Sequence, residues 1–249
     1  MLDNGRAVLN LPLLAGGIVL SAAFVYGMPR CAAADVWGGS LAVTSDYVVR
    51  GISRSNDQAA LQLDVHYLNS SGFVVGMFAS NSRIDPGEPI DVELDGFLGF
   101  AWTAGSDWRG RALLTHYAYP WNRFGSGYDY DELDMDVTYQ EWLKAGVVYS
   151  PDAPRYSPSR GLYGVTSESA EIGVQRPVWR KLSASVGVGY SRFEGPYPVG
   201  YTYWSAGAVW DMAPVSLAIA YVDTSAAAKT LFYNAAAGGL WTGTVIWRF

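Results

Sequence analysis

The stretch Leu182-Ser183-Ala184-Ser185-Val186-Gly187-Val188-Gly189-Tyr190-Ser191 decides the fold, because apolar residues alternate with small or polar ones along all of it. Alternation with a period of two predicts a β-strand with one apolar face and one polar face. Residues 61–67, 90–98 and 132–139 alternate in the same way, and their polar positions are rich in Asp and Glu. The chain is therefore predicted to be built from strands that separate charged from apolar side chains.

Twelve segments of this kind follow one another along the chain. They span residues 39–52, 59–68, 72–81, 90–102, 108–119, 130–139, 142–150, 167–176, 181–191, 201–210, 215–222 and 237–249. Most are close to the length of about 9–11 residues that a tilted strand needs to cross a membrane. Strands of soluble sandwiches more often have about 5–6 residues. The segment lengths thus favour membrane-crossing strands.

The connections between these segments sort by parity. The even-numbered ones are short, at 69–71, 103–107, 140–141, 177–180 and 211–214, and the odd-numbered ones are longer, at 53–58, 82–89, 120–129, 151–166, 192–200 and 223–236. Short turns on one rim and long loops on the other are typical of outer-membrane barrels. The sequence therefore predicts an all-β fold, a transmembrane antiparallel up-and-down β-barrel of about 12 strands.

The composition agrees with this fold class. Half of the residues are hydrophobic and only 16% are charged, against about 25% charged in ordinary soluble domains. A net charge of −6 gives no reason to expect nucleic acid as a partner, since such proteins carry basic patches. A single cysteine, Cys31, excludes a disulfide scaffold.

Residues 1–34 have the pattern of a secretory signal peptide. Arg6 and Arg30 enclose 23 uncharged residues, and the small residues Ala32-Ala33-Ala34 follow. The alternative is an uncleaved membrane anchor, because the apolar stretch is long for a signal. We predict a signal peptide over 1–34 and a barrel over 35–249, exported to the outer membrane of a Gram-negative bacterium.

The last segment predicts one partner, and the aromatic residues near the strand ends predict a second. Trp241, Val245, Trp247 and Phe249 share one face, and the chain stops on Phe249. Such an ending resembles the signal that the barrel-assembly machinery reads on outer-membrane proteins. Membrane lipid is the second predicted partner, because aromatic residues near the strand ends suit the two interfacial girdles. The girdle candidates are Trp37, Tyr67, Trp102, Tyr119, Tyr139, Tyr149, Tyr190, Trp210, Tyr221 and Trp247.

One stretch carries a family resemblance. Val43-Thr44-Ser45-Asp46-Tyr47-Val48-Val49-Arg50-Gly51-Ile52-Ser53-Arg54-Ser55 resembles the opening strand of the TorF-like porins, a bacterial family of unknown function. Glu93-Leu94-Asp95 and Tyr117-Ala118-Tyr119-Pro120 continue the likeness, whereas Val49 departs from it, since an aromatic residue is usual there. The resemblance implies an outer-membrane barrel with pore activity and names no substrate.

If the apolar faces meet lipid, the polar faces line the interior. This places inside the barrel the pore-lining candidates Asp46, Arg50, Asp64, His66, Asp91, Glu93, Asp95, Arg109, Arg111, Glu132, Asp134, Asp136, Lys144 and Glu171. The facing of Arg109 and Arg111 is ambiguous, because Tyr117 and Tyr119 share their face. Asp46 and Arg50 would lie about 13 Å apart on one strand, so each is expected to pair with a neighbouring strand.

Passive diffusion of small hydrophilic solutes, with a mild preference for cations, is the predicted function. Eight strands give a filled interior and about 16–18 leave an aqueous channel, so twelve strands do not decide whether the lumen conducts. The alternative is a barrel that ion pairs close, with a structural or surface-interaction role. A lipid-modifying enzyme is a more distant alternative, because neither His66 nor His116 has a nucleophile motif beside it. No enzyme activity, cofactor or metal site is predicted.

Overall fold

The alternating segments form long paired strands. The computed structural model describes residues 35–83, 91–121, 125–157, 160–195, 198–232 and 237–249. The strands are β1 Val36–Thr44, β2 Val48–Val49, β3 Ile52–Ser53, β4 Ala60–Leu68, β5 Phe73–Ser82, β6 Asp91–Ala104, β7 Trp108–Ala118, β8 Tyr130–Tyr139, β9 Leu143–Ser157, β10 Gly161–Trp179, β11 Leu182–Phe193, β12 Val199–Met212, β13 Val215–Thr224 and β14 Leu240–Arg248. A 3-10 turn, Gly125–Tyr128, and one short helix, α1 Ala226–Leu231, complete the elements.

Twelve strands, β1 and β4 to β14, close into one antiparallel barrel. Each barrel strand pairs with its sequence neighbours, and β1 closes the ring by pairing with both β4 and β14. At this seam Thr44 lies opposite Thr244, and the backbones of Gly39 and Phe249 exchange two hydrogen bonds of 3.1 Å. The predicted fold class is confirmed. No helix among the described residues is long and apolar enough to cross a membrane.

Alternation along each strand separates an apolar exterior from a polar interior. On β4, Leu61 and Leu63 are 55% and 42% exposed on the outside, whereas Asp64 and His66 are buried inside. The same pattern on the other strands leaves a belt of exposed Leu, Val, Ile, Trp and Tyr around the barrel. Since soluble monomers rarely expose a continuous apolar surface of this extent, the exterior is suited to lipid.

The two rims of the barrel differ in their connections. Turns such as Asn69–Gly72 and Ala213-Pro214 join the strands at one end, which we call the short-turn rim. Residues 83–90, 119–129 and 225–239 join them at the other end, the long-loop rim. The predicted loop 192–200 is reduced to residues 194–198 between β11 and β12. The predicted loop 151–166 is reduced further, because β9 and β10 continue through it and leave residues 158–160 between them.

The sequence did not predict this extended hairpin, because Pro151 and Pro154 are residues typical of loops. In the structure Pro154 lies opposite Gly164, and Ala153 lies opposite Val165, with a register shift before Ser167. The two strands pair with each other there, so their backbone groups are satisfied beyond the barrel wall. Proline is tolerated in such a peripheral hairpin because an edge position needs no N–H for the ladder.

The first predicted segment, 39–52, is wrong in its second half. The wall strand β1 ends at Thr44, and residues 45–59 turn into the barrel as what we call the inserted segment. Its hairpin, β2 and β3, turns at Arg50 and Gly51, which have φ of 49° and 79°. Two positive φ values are the geometry of a tight two-residue hairpin. The alternation of 45–52 did not reveal this, because an inward hairpin also places Tyr47, Val48 and Val49 in buried positions.

The predicted loop 223–236 contains helix α1, and the last strand begins at Leu240 rather than at residue 237. Ala237 instead forms a bridge with Ile52 of the inserted segment. Ile52, Ala237 and Ala228 of α1 are buried in one apolar cluster with tyrosines of β12. The long-loop rim thus folds over the inserted segment. The predicted signal peptide and its cleavage lie outside the described residues.

Candidate functional site

The interior of the barrel, its lumen, has two walls of different chemistry. The inward face of β4 to β10, the charged wall, carries Asp64, His66, Asp91, Glu93, Asp95, Arg111, Glu132, Asp134, Asp136, Lys144 and Glu171. The inward face of β11 to β14 and β1, the neutral wall, is formed mostly by Ser, Thr, Gly, Ala, Val and Tyr, with Phe193 and Ile246. Among its described residues charge occurs only at the short-turn rim, where the hydroxyl of Ser216 accepts from Arg248 and donates to Asp211.

The inserted segment crosses the lumen between these walls. Arg50 makes two parallel hydrogen bonds to Glu132 on β8, Nη1 to Oε1 at 2.8 Å and Nη2 to Oε2 at 2.7 Å. Both side chains are buried, and a bidentate geometry of this kind is among the stronger ion pairs in proteins. The adjacent Gly51 faces the neutral wall, where an added Cβ would lie only 2.5 Å from Thr224 Cγ2. The segment thus holds the charged wall by an ion pair and approaches the neutral wall through a glycine.

Tyrosines fix the segment to the charged wall nearer the long-loop rim. The hydroxyls of Tyr47 and Tyr119 each donate to one oxygen of Glu93. Arg54 donates to the hydroxyls of Tyr119 and Tyr130, both at 3.0 Å. The Glu93 carboxylate and the Arg54 guanidinium are therefore joined through Tyr119 into one buried network, and such satisfied networks make an interior rigid.

The pairing expected for Asp46 and Arg50 differs from the structure. Asp46 accepts from the hydroxyls of Ser53 and Ser55 within the inserted segment itself, at 2.6 and 2.8 Å. Arg50 reaches Glu132 across the lumen and not on a neighbouring strand. Both differences have one cause: the chain leaves the wall after Thr44, so neither residue has a neighbouring barrel strand to pair with.

Two candidate arginines lie close to carboxylates of the short-turn half. Arg111 lies opposite Asp136 in the register of β7 and β8, and its Nη2 donates to Asp136 Oδ2 at 2.6 Å. Arg109 is close to the short-turn rim and donates to Glu141. The ambiguity over this strand is therefore resolved, because Arg111 and Tyr117 share the inward face of β7. Cross-strand pairing between Arg111 and Asp136 therefore neutralises part of the acidic charge of β8.

Other carboxylates of the charged wall keep oxygens without a hydrogen-bond partner. Asp64 Oδ1 lies 2.8 Å from His66 Nδ1, within hydrogen-bond distance, and the second oxygen of Asp64 has no hydrogen-bond partner. Asp95, which is 1% exposed, has no partner for either oxygen. Asp91, Asp134 and Glu171 each keep one such oxygen. Buried charge without partners is costly in a dry interior, so this wall favours water or cations beside it.

Sequence reasoning missed Tyr47, Arg54, Tyr130 and Tyr203 as lumen residues and misplaced Tyr119. Tyr119 was assigned to an interfacial girdle, but it is 1% exposed and lies inside the barrel. Tyr117 and Tyr130 stack inside as well, with ring centroids 4.4 Å apart. The alternation along β7 could have indicated that Tyr119 faces inward, because it places Tyr119 on the same face as Arg111. The described residues contain no group of three His, Cys, Asp or Glu side chains arranged for a metal ion.

Solved structures with the same architecture are porin-like barrels. A structure titled KdgM porin matches with a TM-score of 0.51 and 8% identity over 85% of this chain and 99% of that chain. A NanC porin structure matches with 0.52 and 10% over 85% and 98%. The COG4313 outer membrane channel from Pseudomonas putida F1 matches with 0.51 and 13% over 90% and 98%. At these identities the likeness shows the fold.

The chain belongs to a family described as bacterial proteins of unknown function (Gcw_chp), whose model matches residues 32–247. No curated protein matches the chain. The family match carries a different name from the TorF-like resemblance, so that name stays a prediction.

Proposed function

We propose that the protein is an outer-membrane channel through which small hydrophilic solutes diffuse passively, with a preference for cations. The observation that carries the proposal is the charged wall, whose buried carboxylates keep several oxygens without a hydrogen-bond partner. Such a surface is stable when water or mobile cations cover it, which is the condition of an aqueous pore. Two of the similar structures, KdgM and NanC, are porins, which agrees with this function.

The apolar belt supports the membrane location. Trp204 and Trp210 of β12 point outward and are separated by six positions, about 20 Å along a strand. Between them Ala206 and Ala208 face outward too, so the strand has aromatic ends around an apolar centre, as interfacial girdles require. In this orientation the short-turn rim faces the periplasm, and the long-loop rim and the β9–β10 hairpin face the outside. Export by residues 1–34 and assembly through the strand that ends in Phe249 belong to the same proposal.

A planar bilayer tests the channel directly. Purified, folded protein is expected to give reproducible single-channel steps, and a KCl gradient is expected to shift the reversal potential toward that of K⁺. The matched variant is Asp91→Asn, which replaces an acidic side chain of the charged wall by an amide of nearly the same size and should weaken the cation preference. Absence of steps at a good folding yield would contradict the proposal.

A non-conducting barrel is the second candidate, and the inserted segment is the observation that favours it. The Arg50–Glu132 pair and the tyrosine contacts of Glu93 join the segment to the wall across the lumen. If the segment closes the barrel, wild type is silent, and Arg50→Ala together with Glu132→Gln opens it. If the segment only narrows the lumen, wild type conducts and the double variant raises the size of each step.

A lipid-modifying enzyme is the third alternative. His66 is buried against Asp64, and His116 is exposed beside Asp131. A lipid-hydrolysis assay with His66→Ala and His116→Ala tests it, since loss of a wild-type activity in either variant would support an enzyme.

A further inference from the structure

The charged wall contains a notch between two carboxylates. In the barrel register Asp136 of β8 lies opposite Gly146 of β9, and Gly146 lies opposite Glu171 of β10. All three positions face inward. Because the middle residue is glycine, it places no side chain of its own between the two carboxylates. We call this place the Gly146 notch. Its two acidic residues are two strand spacings apart, about 10 Å between Cα atoms.

Each carboxylate has one oxygen engaged and one oxygen without a partner. Asp136 accepts from Arg111 through Oδ2, and its Oδ1 has no hydrogen-bond partner. Glu171 accepts from the Tyr203 hydroxyl through Oε2 at 3.0 Å, and its Oε1 has none. The two residues are only 2% and 9% exposed. Two buried acceptors on either side of a glycine require a donor, because a buried charge without hydrogen bonds is strongly unfavourable.

The engaged oxygens keep both carboxylates in place. Arg111 holds Asp136 on the β7 side, and the Tyr203 ring lies over Gly189, the other cross-strand neighbour of Glu171. An added Cβ on Gly189 would lie 2.3 Å from Tyr203 Cζ, so the ring has no room to move closer. With Asp136 Oδ2 and Glu171 Oε2 engaged in this way, Asp136 Oδ1 and Glu171 Oε1 are the oxygens that can accept a hydrogen bond from a ligand.

A side chain of the protein already brings an ammonium group to this place. Lys144 Nζ lies 3.8 Å from Asp136 Oδ1, a distance too long for a hydrogen bond. Its side chain is 21% exposed to the lumen, more than the carboxylates it accompanies. Lysine ends in a compact ammonium on a flexible four-carbon stem, so the ammonium of a ligand can take its place beside Asp136. Lys144 therefore acts as a displaceable cover that has the chemistry of the ligand.

We propose that the Gly146 notch binds small alkylammonium cations, which displace Lys144 and donate N–H groups to Glu171 Oε1 and Asp136 Oδ1. The inference deepens the proposed channel function, because it names a class of solute that the lumen selects. A diamine suits the notch best, since it supplies one ammonium to each carboxylate. Access is from the short-turn rim, because the inserted segment occupies the other half of the lumen.

Titration of the folded, detergent-solubilised barrel tests the site without relying on conduction. The probe is 1,4-diaminobutane, followed by calorimetry, with 1,4-butanediol and tetramethylammonium as controls. The diol has no charge and tetramethylammonium has no N–H donor, so neither should bind. Glu171→Gln should weaken the diamine at least tenfold, because a charge-assisted hydrogen bond is lost. Lys144→Met should tighten it, because the competing ammonium is gone.

Glu168→Gln is the matched control, since Glu168 lies on the same strand but points outward and is exposed. It should leave diamine binding within about twofold of wild type. Glutamine can still accept from Tyr203, so the Glu171 variant is expected to fold. If the Glu171 variant does not fold, two other variants test the site. Tyr203→Phe removes the hydrogen bond that positions the Glu171 carboxylate and should weaken diamine binding, whereas Lys144→Met should tighten it.

Equal diamine binding by wild type and Glu171→Gln, or equal binding of tetramethylammonium and the diamine, would overturn the proposal. Binding by a barrel that never conducts would leave the site intact and refute the channel. A conducting barrel that ignores the diamine would refute the site and leave the channel intact.

Discussion

The two walls of the lumen meet the inserted segment in opposite ways. The charged wall contacts it with long side chains, such as Glu132 with Arg50 and Glu93 with Tyr47. At the neutral wall the segment itself supplies the small residue, since Gly51 packs closely against Thr224 and Tyr203. Ion pairs and hydrogen bonds hold the segment on one side, and a glycine allows its close approach on the other. The position of the segment therefore depends on electrostatics at one wall and on steric fit at the other.

The largest expected effect comes from breaking the ion pair that joins the inserted segment to the charged wall. Arg50→Ala leaves the Glu132 carboxylate buried without its partner, and removing one partner of a buried pair costs about 3–5 kcal/mol. We expect a loss of this size in the free energy of unfolding, measured by urea titration of protein folded into lipid vesicles. Glu132→Gln added to Arg50→Ala should recover much of it. The control is Arg192→Ala, whose pair with Glu194 is exposed, and which should change stability by about 0–1 kcal/mol.

The neutral wall is tested by adding volume to it. Gly189→Ala places a methyl group against the Tyr203 ring, and overpacking of this kind costs about 1–3 kcal/mol. Gly96→Ala on β6 points outward, where a Cβ meets nothing within 4 Å, so its stability should stay close to that of wild type. Equal urea midpoints for the two variants would show that the neutral wall is not packed against Tyr203.

A smaller effect is expected from changing the charge of the charged wall without changing its contacts. Asp134→Asn removes one carboxylate whose Oδ1 has no hydrogen-bond partner. The reversal potential in a KCl gradient should move a few millivolts toward zero. The neutral wall has no matching carboxylate to remove, so the variant there adds one. Ser185→Asp should move the reversal potential in the opposite direction, away from zero.

The smallest effect is expected outside both walls, at Asp35, the residue that directly precedes β1. Asp35 accepts from the Tyr67 hydroxyl and from the Ser70 backbone N–H, and these bonds lower the pKa of its carboxyl. A lowered pKa in the folded protein means that the contact is present at neutral pH and is lost as pH falls through that lowered value. Hydrogen exchange at the Ser70 amide should therefore be faster in Asp35→Asn than in wild type at pH 7. Equal rates in the two proteins would show that this contact does not form.

The sequence predicted the barrel because the pleat of a strand fixes the facing of every residue. Leu61 and Asp64 could be assigned to opposite faces without any knowledge of the neighbouring strands. The inserted segment could not be predicted in this way, because residues of an inward hairpin and of a wall strand can share the same alternation. Gly51 after Arg50 is the only local sign of the turn.

The contacts across the lumen could not be predicted from the sequence for a different reason. Arg50 and Glu132 are 82 positions apart, and Tyr47 and Glu93 are 46 positions apart. Periodicity reports the facing of residues along one strand, whereas these pairs depend on how the inserted segment packs against several strands. The Gly146 notch likewise needs the register of three strands, which alternation alone does not give.

The seam between β1 and β14 has a consequence for how the barrel is made. Thr244 donates to Thr44 although 200 positions separate them, and Gly39 pairs with Phe249 at the end of the same seam. Closing so long a loop carries a large entropic cost before any contact is gained. Until β14 arrives, β1 keeps a row of unpaired backbone groups that in hydrocarbon would each cost several kcal/mol. In the membrane location proposed above, insertion and ring closure are therefore expected to be one event, and a variant truncated before Leu240 is expected not to insert into lipid alone.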